Sequence, residues 1–98
     1  EEQYNYAMKL YKDKNLDEAL EKLKDLTKKS PNSKIAPEAQ YRLGTIYEEK
    51  GDYLKAFRCY KKLIETYPQS ERFGEVIERE FRIKSKEADK AKAPKTGE

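Results

Sequence analysis

An all-α array of short helix-turn-helix hairpins, five helices in all, is the fold this 98-residue chain predicts. Three observations carry that expectation. The sequence repeats itself at an offset of 37 residues. Apolar residues recur at helical spacing inside each repeat, and Pro, Gly, Asn and Asp fall where turns between helices belong.

At that offset, Asn15–Leu20 lies on Asp52–Phe57, Ser30–Ser33 lies on Tyr67–Ser70, and Tyr4 lies on Tyr41. The match continues with Glu38 on Glu75, Arg42 on Arg79 and Ile46 on Ile83. The chain therefore reads as repeats 1–33 and 34–70 and the opening of a third over 71–83, followed by a polar, Lys-rich tail over 84–98.

Each helix follows from its own stretch of sequence. The first spans Tyr4–Asp13, with Ala7, Leu10 and Tyr11 inside. Asn15 is placed to cap the second, with Glu18 reaching back three residues on, and Leu16, Ala19, Leu20, Leu23 and Leu26 form its apolar stripe. Pro31 closes it, and Pro37 suits the first turn of the third helix, Ala39–Lys50, which holds Leu43, Ile46 and Tyr47. Asp52, after Gly51, caps the fourth. There Tyr53, Ala56, Phe57, Tyr60, Leu63, Ile64 and Tyr67 occupy successive i, i+3, i+4, i+7 positions, and Pro68 ends the run. Alternation of the strand type fails over the same window. In the fifth helix Phe73, Val76, Ile77 and Phe81 are expected on one face.

Composition narrows the function. The chain is 42% charged and 36% hydrophobic, a balance that borders on disorder, yet all 8 Tyr and 3 Phe lie at or before Phe81. Residues 82–98 carry 6 basic against 3 acidic groups, which accounts for the net charge of +3 and leaves the body nearly neutral. With no His, neither a Ser-His-Asp triad nor an imidazole metal ligand can form within the chain. Cys59 alone makes no disulfide or multi-Cys zinc site, and its place beside the apolar stripe suggests a partly buried thiol. No apolar run exceeds three residues, so no transmembrane segment or signal peptide is expected, and the Glu-Glu opening without Met suits a processed or excised chain. Glu71, Glu75 and Glu78 could in principle gather a divalent cation, but ion pairs Glu75–Arg79 and Glu78–Arg82 on a solvated face account for them better. No enzyme, metal or cofactor is expected. Lys28-Lys29 and Lys61-Lys62 interleave with acids, so nucleic acid is not an expected partner either.

The run Y-R-L-G-T-I-Y-E-E-K-G-D-Y-L-K-A-F-R-C-Y-K-K-L-I-E-T-Y-P (41–68) closely resembles a tetratricopeptide repeat. Its signature positions fall on Leu43, Gly44, Tyr47, Gly51, Tyr53, Ala56, Tyr60, Leu63 and Pro68. The first repeat departs from it, with Ala7 and Lys14 in place of the two glycines. Phe81 stands where a third repeat needs its Gly, so the fifth helix is expected to act as a terminal cap. The long period and the run P-N-S-K-I-A-P-E-A-Q-Y-R-L-G (31–44) are similar to bacterial envelope members, the BamD-like outer-membrane assembly lipoproteins and the Tol-Pal-associated periplasmic proteins; F-G-E-V-I-E-R-E-F-R-I (73–83) also looks BamD-like. That likeness implies the periplasmic side of the outer membrane, a lipid-bearing Cys upstream of Glu1, and a part in β-barrel protein assembly beside other subunits of such a complex. The alternative is a generic scaffold, cytoplasmic or in the envelope, that binds a peptide or partner helix.

Resemblance also implies where a partner binds, since the first helix of each tetratricopeptide repeat lines a concave groove. Glu1, Tyr4, Met8 and Tyr11 of the first repeat would face it, then Glu38, Tyr41, Thr45 and Glu48, then Glu78 and Arg82. Tyr4, Met8, Tyr11 and Tyr41 would form an amphipathic patch for apolar side chains, although Tyr11 and Tyr41 suit packing between repeats equally well. Met8 and Thr45 stand where a carboxylate-clamping array needs Asn, so no such clamp is expected.

Overall fold

A computed structural model describes the backbone of residues 2–96 and the side chains of 2–86. Five helices follow one another: α1 (Glu2–Lys12), α2 (Leu16–Lys29), α3 (Ala36–Glu49), α4 (Tyr53–Thr66) and α5 (Phe73–Thr96). Each packs on its sequence neighbours, giving hairpins α1–α2 and α3–α4 with α5 laid against α4. No strand occurs among the described residues.

Offset by 37 residues, the backbone hydrogen bonds repeat as the sequence does. Ser30 N–H to Leu26, Ser33 to Ser30, Ala36 to Ser33 and Ala39 to Ile35 reappear as Tyr67 to Leu63, Ser70 to Tyr67, Phe73 to Ser70 and Val76 to Arg72. The turns after α1 and α3 are both Schellman motifs. Lys14 N–H donates to Tyr11 and Asn15 N–H to Leu10, as Gly51 does to Glu48 and Asp52 to Tyr47. Such a turn needs one left-handed residue, and Lys14 (φ 68°) and Gly51 (φ 80°) supply it.

Packing follows the predicted stripes closely. Ala7, Ala19, Leu23, Ile46, Ala56, Tyr60 and Leu63 are fully buried, and Leu43 and Tyr47 nearly so, while Tyr53 is half-buried and Gly51 and Pro68 lie exposed in the turns. Gly44 is a demand of contact: a Cβ there would lie 2.6 Å from Cδ1 of the Tyr60 ring, so only glycine lets α3 and α4 close. Gln40, buried beside it, donates from Nε2 to the Cys59 carbonyl at 2.9 Å.

Three expectations need correction. Helix α3 begins at Ala36, one turn before Ala39, with Pro37 inside its first turn. Asn15 makes no side-chain cap, whereas the Asp52 carboxylate accepts from Lys55 N–H at 3.3 Å. A charged cap gains from the positive helix end as a neutral amide does not. On α5, Val76 and Ile83 are buried while Ile77 and Phe81 are 43% and 69% exposed, so the four apolar residues do not share an inward face. In register, Ile77 and Phe81 match Gln40 and Gly44, which α4 covers; among the described residues no helix follows α5 to cover them. The fifth helix continues past Ile83 to Thr96. Residues 84–93 are rich in the helix formers Lys and Ala, and Ala88 stands where Gly51 ends α3.

Candidate partner-binding site

Helices α1, α3 and α5 share the face on which a groove was expected, and one interaction unit recurs along it. Tyr4 Oη donates to Glu38 at 3.5 Å, and Tyr41, 37 residues on, donates to Glu75 at 2.5 Å. Each glutamate then holds the arginine four residues later, Glu38–Arg42 at 3.3 Å and Glu75–Arg79 at 3.0 Å. Each tyrosine of one repeat is thus clasped to a Glu–Arg pair of the next. Arg72 ties both clasps together, pairing with Glu38 at 3.2 Å and Glu75 at 3.4 Å while its guanidinium lies 4.3 Å from the Tyr41 ring centre.

Between the clasps lies an open depression of about 350 Å³, lined by Tyr11, Tyr41, Arg42, Thr45, Glu48, Glu49 and Arg79. Tyr11 donates to Glu49, and Thr45 turns its hydroxyl back onto the Arg42 carbonyl at 3.0 Å. Glu48 accepts from Tyr60 Oη at 2.7 Å and from Arg79 at 3.0 Å, which links the depression to the α3–α4 core. The Arg42 Nε is buried 3.3 Å from Glu38 yet makes no aligned hydrogen bond, leaving one donor there unsatisfied.

Four expected groove residues, Tyr11, Tyr41, Thr45 and Glu48, therefore meet. Tyr4 and Met8 are half-buried but do not line the depression, and Glu78 and Arg82 are exposed outside it. Glu1 lies outside the described residues. Two arginines and two glutamates line the depression beside Tyr11, and Tyr41, only 4% exposed, serves as a platform for arginines. Arg42, Arg72, Glu75 and Arg79 were missed as contributors. The self-comparison had aligned two of their pairs, Glu38 with Glu75 and Arg42 with Arg79, but equal spacing does not reveal which side chains cross between repeats.

The same contacts shift the ionisation of these groups. The Tyr41 hydroxyl, followed by Arg79 and Arg72, holds the Glu75 carboxyl below the ordinary glutamate range. Burial and then Glu75 raise the Tyr41 hydroxyl, and burial and Glu48 raise that of Tyr60. Burial lifts the Cys59 thiol to about 11, so it is an unreactive thiol at neutral pH. The Glu78–Arg82 pair is not among the ion pairs of the described residues, whereas Glu75–Arg79 is. No group of acids among the described residues is placed to hold a metal ion, and no described helix is long and apolar enough to cross a membrane.

Stacked helical hairpins with a shared polar face define a helical-repeat interaction scaffold. The tetratricopeptide repeat model matches residues 3–33 and 38–70, and the chain belongs to that family. It is accordingly a protein–protein interaction module of a family of non-enzymatic scaffolds, with proteins or peptides as partners. Comparison with curated proteins gives no match.

Proposed function

We propose that the chain is a docking module of a bacterial envelope protein, acting on the periplasmic side of the outer membrane in the assembly of β-barrel proteins. The envelope assignment draws its support from the sequence likeness of residues 31–44 and 73–83 to BamD-like proteins. The observation that carries the docking role is the depression between α1, α3 and α5. Its Arg42 and Arg79 lie 5.4 and 5.8 Å from the Tyr41 ring centre, Arg79 pairs with Glu48, and Glu49 accepts from Tyr11. Such a surface suits a polar segment that presents both a carboxylate and a donor, rather than a purely apolar one. The Tyr11, Tyr41 and Tyr60 hydroxyls already donate to glutamates, so the ligand would be read by the outer edges of Arg42 and Arg79 and by the Glu49 carboxylate.

A photo-crosslinking residue at Thr45 in the full-length protein, expressed in its own cell, tests both parts. The expected result is outer-membrane fractionation with crosslinks to β-barrel precursors or to subunits of their assembly complex. Fractionation with the cytoplasm would overturn the envelope role and leave the generic scaffold. Thr45 crosslinks no more abundant than those from the exposed Lys12 would overturn the docking face.

A further inference from the structure

On the opposite side of the sheet of helices, α2 and α4 flank a second groove of about 420 Å³. Lys24 and Lys28 approach it from α2, Arg58 and Lys62 from α4, and Leu43 and Cys59 contribute to its lining between them. Within each helix the two cations stand at i, i+4, a like-charge spacing that works against the helix. No carboxylate lines the groove, and none of the four cations takes part in an ion pair among the described residues. The nearest acids of α2, Glu21 and Asp25, share the adjoining depression with Lys24 and Lys28 without pairing with either, and Asp25 pairs instead with Lys29 at 3.3 Å. The chain interleaves its charges almost everywhere, so four unopposed cations in one groove form a local field that its overall composition hides.

We propose that this groove is a second docking surface, which takes an acidic peptide segment whose carboxylates pair with the two cation rows and whose aliphatic side chain rests between Leu43 and Cys59. This rests on the reading of the chain as a protein-docking module and adds a face to it. Charge complementarity selects an acidic occupant, and the apolar lining selects one with aliphatic side chains. A nucleic acid fits less well, because the cations form two short rows, with Glu21 and Asp25 beside the Lys24–Lys28 row, rather than a track along a strand.

Cys59, the chain's one cysteine, lines this groove and gives a local readout. The slow alkylation of its thiol is followed at mildly alkaline pH, where the lysines keep their charge, while the chain is titrated with acetylated, amidated Glu-Leu-Glu-Glu-Leu-Asp-Glu-Leu. The same titration is made with a counterpart carrying lysine at every acid, and with a uridine oligonucleotide. The expected result is saturable protection by the acidic peptide that weakens as salt rises, with none from the lysine peptide. The double variant Lys28→Glu, Arg58→Glu should need about tenfold or more peptide for the same protection. Both positions are exposed, and Lys28→Gln, Arg58→Gln with unchanged helicity serves if the reversals disturb folding. No protection, equal protection by the lysine peptide, or indifference to both variants would overturn the proposal. Tighter protection by the oligonucleotide would overturn it in favour of a phosphate polymer. Failure here with specific Thr45 crosslinks leaves the first docking face standing; loss of both removes the two readings together.

Discussion

Lys14 occupies a left-handed backbone position that Gly51 fills in the next repeat, and the same Schellman hydrogen bonds surround both. A side chain costs about 1–2 kcal/mol in that conformation, while glycine enters it freely. Lys14→Gly should therefore raise unfolding stability by about 1 kcal/mol, and Gly51→Ala should lower it by a similar amount. Urea denaturation with an unchanged slope measures both; a Lys14→Gly midpoint that does not rise would show that the first turn carries no such strain. Gly44 answers a different need, the Tyr60 ring pressed against its Cα. Both glycine positions were legible through the resemblance to the tetratricopeptide signature, since the first repeat has Ala7 and Lys14 in their place. The Tyr60 contact at Gly44 was legible only as close helix approach, since a sequence names no partner ring.

At the scale of a helix, α5 shows how far periodicity reaches. The 3.6-residue period correctly marks it as an amphipathic helix, yet it cannot say which of two apolar faces is covered. Val76 and Ile83 are buried, whereas Ile77 and Phe81 lie on the side that a following helix would cover. Ile83→Ala is expected to cost about 2–4 kcal/mol through the cavity it leaves. Phe81→Ser, at a largely exposed position, should stay within about 0.5 kcal/mol. Chemical denaturation of the two variants decides the matter, and the reverse order would mean that α5 is rotated about its axis.

Across the whole molecule, stacking is completed by polar clasps laid over an apolar core. Glu75 makes this testable through pH. Its carboxyl is lowered in the folded state, chiefly by the Tyr41 hydroxyl and then by Arg79 and Arg72. A carboxyl with a lowered folded value adds stability above its unfolded value of about 4.3, and that contribution is lost as pH falls through the folded value. Melting temperature should therefore drop below about pH 4.3 more steeply for the natural chain than for Glu75→Gln. The variant should start lower at neutral pH and converge with the natural chain in acid. Parallel curves would remove Glu75 from the acid response.

Residue order was enough to establish the repeat, the all-helical class, the turn positions and most of the core. Periodicity and punctuation recur in every hairpin, so each copy confirms the other. Three-dimensional packing settled what the tyrosines do and how the charges are shared out. Tyr41 sits at a groove position by spacing, but Glu75, 34 residues away, engages its hydroxyl and Arg72 covers its ring. Lys24, Lys28, Arg58 and Lys62 look like ordinary solvated charges along the chain and become one unopposed field when α2 and α4 come together. A side chain's period is a property of its own helix, whereas its partners and its exposure depend on which other helix arrives beside it.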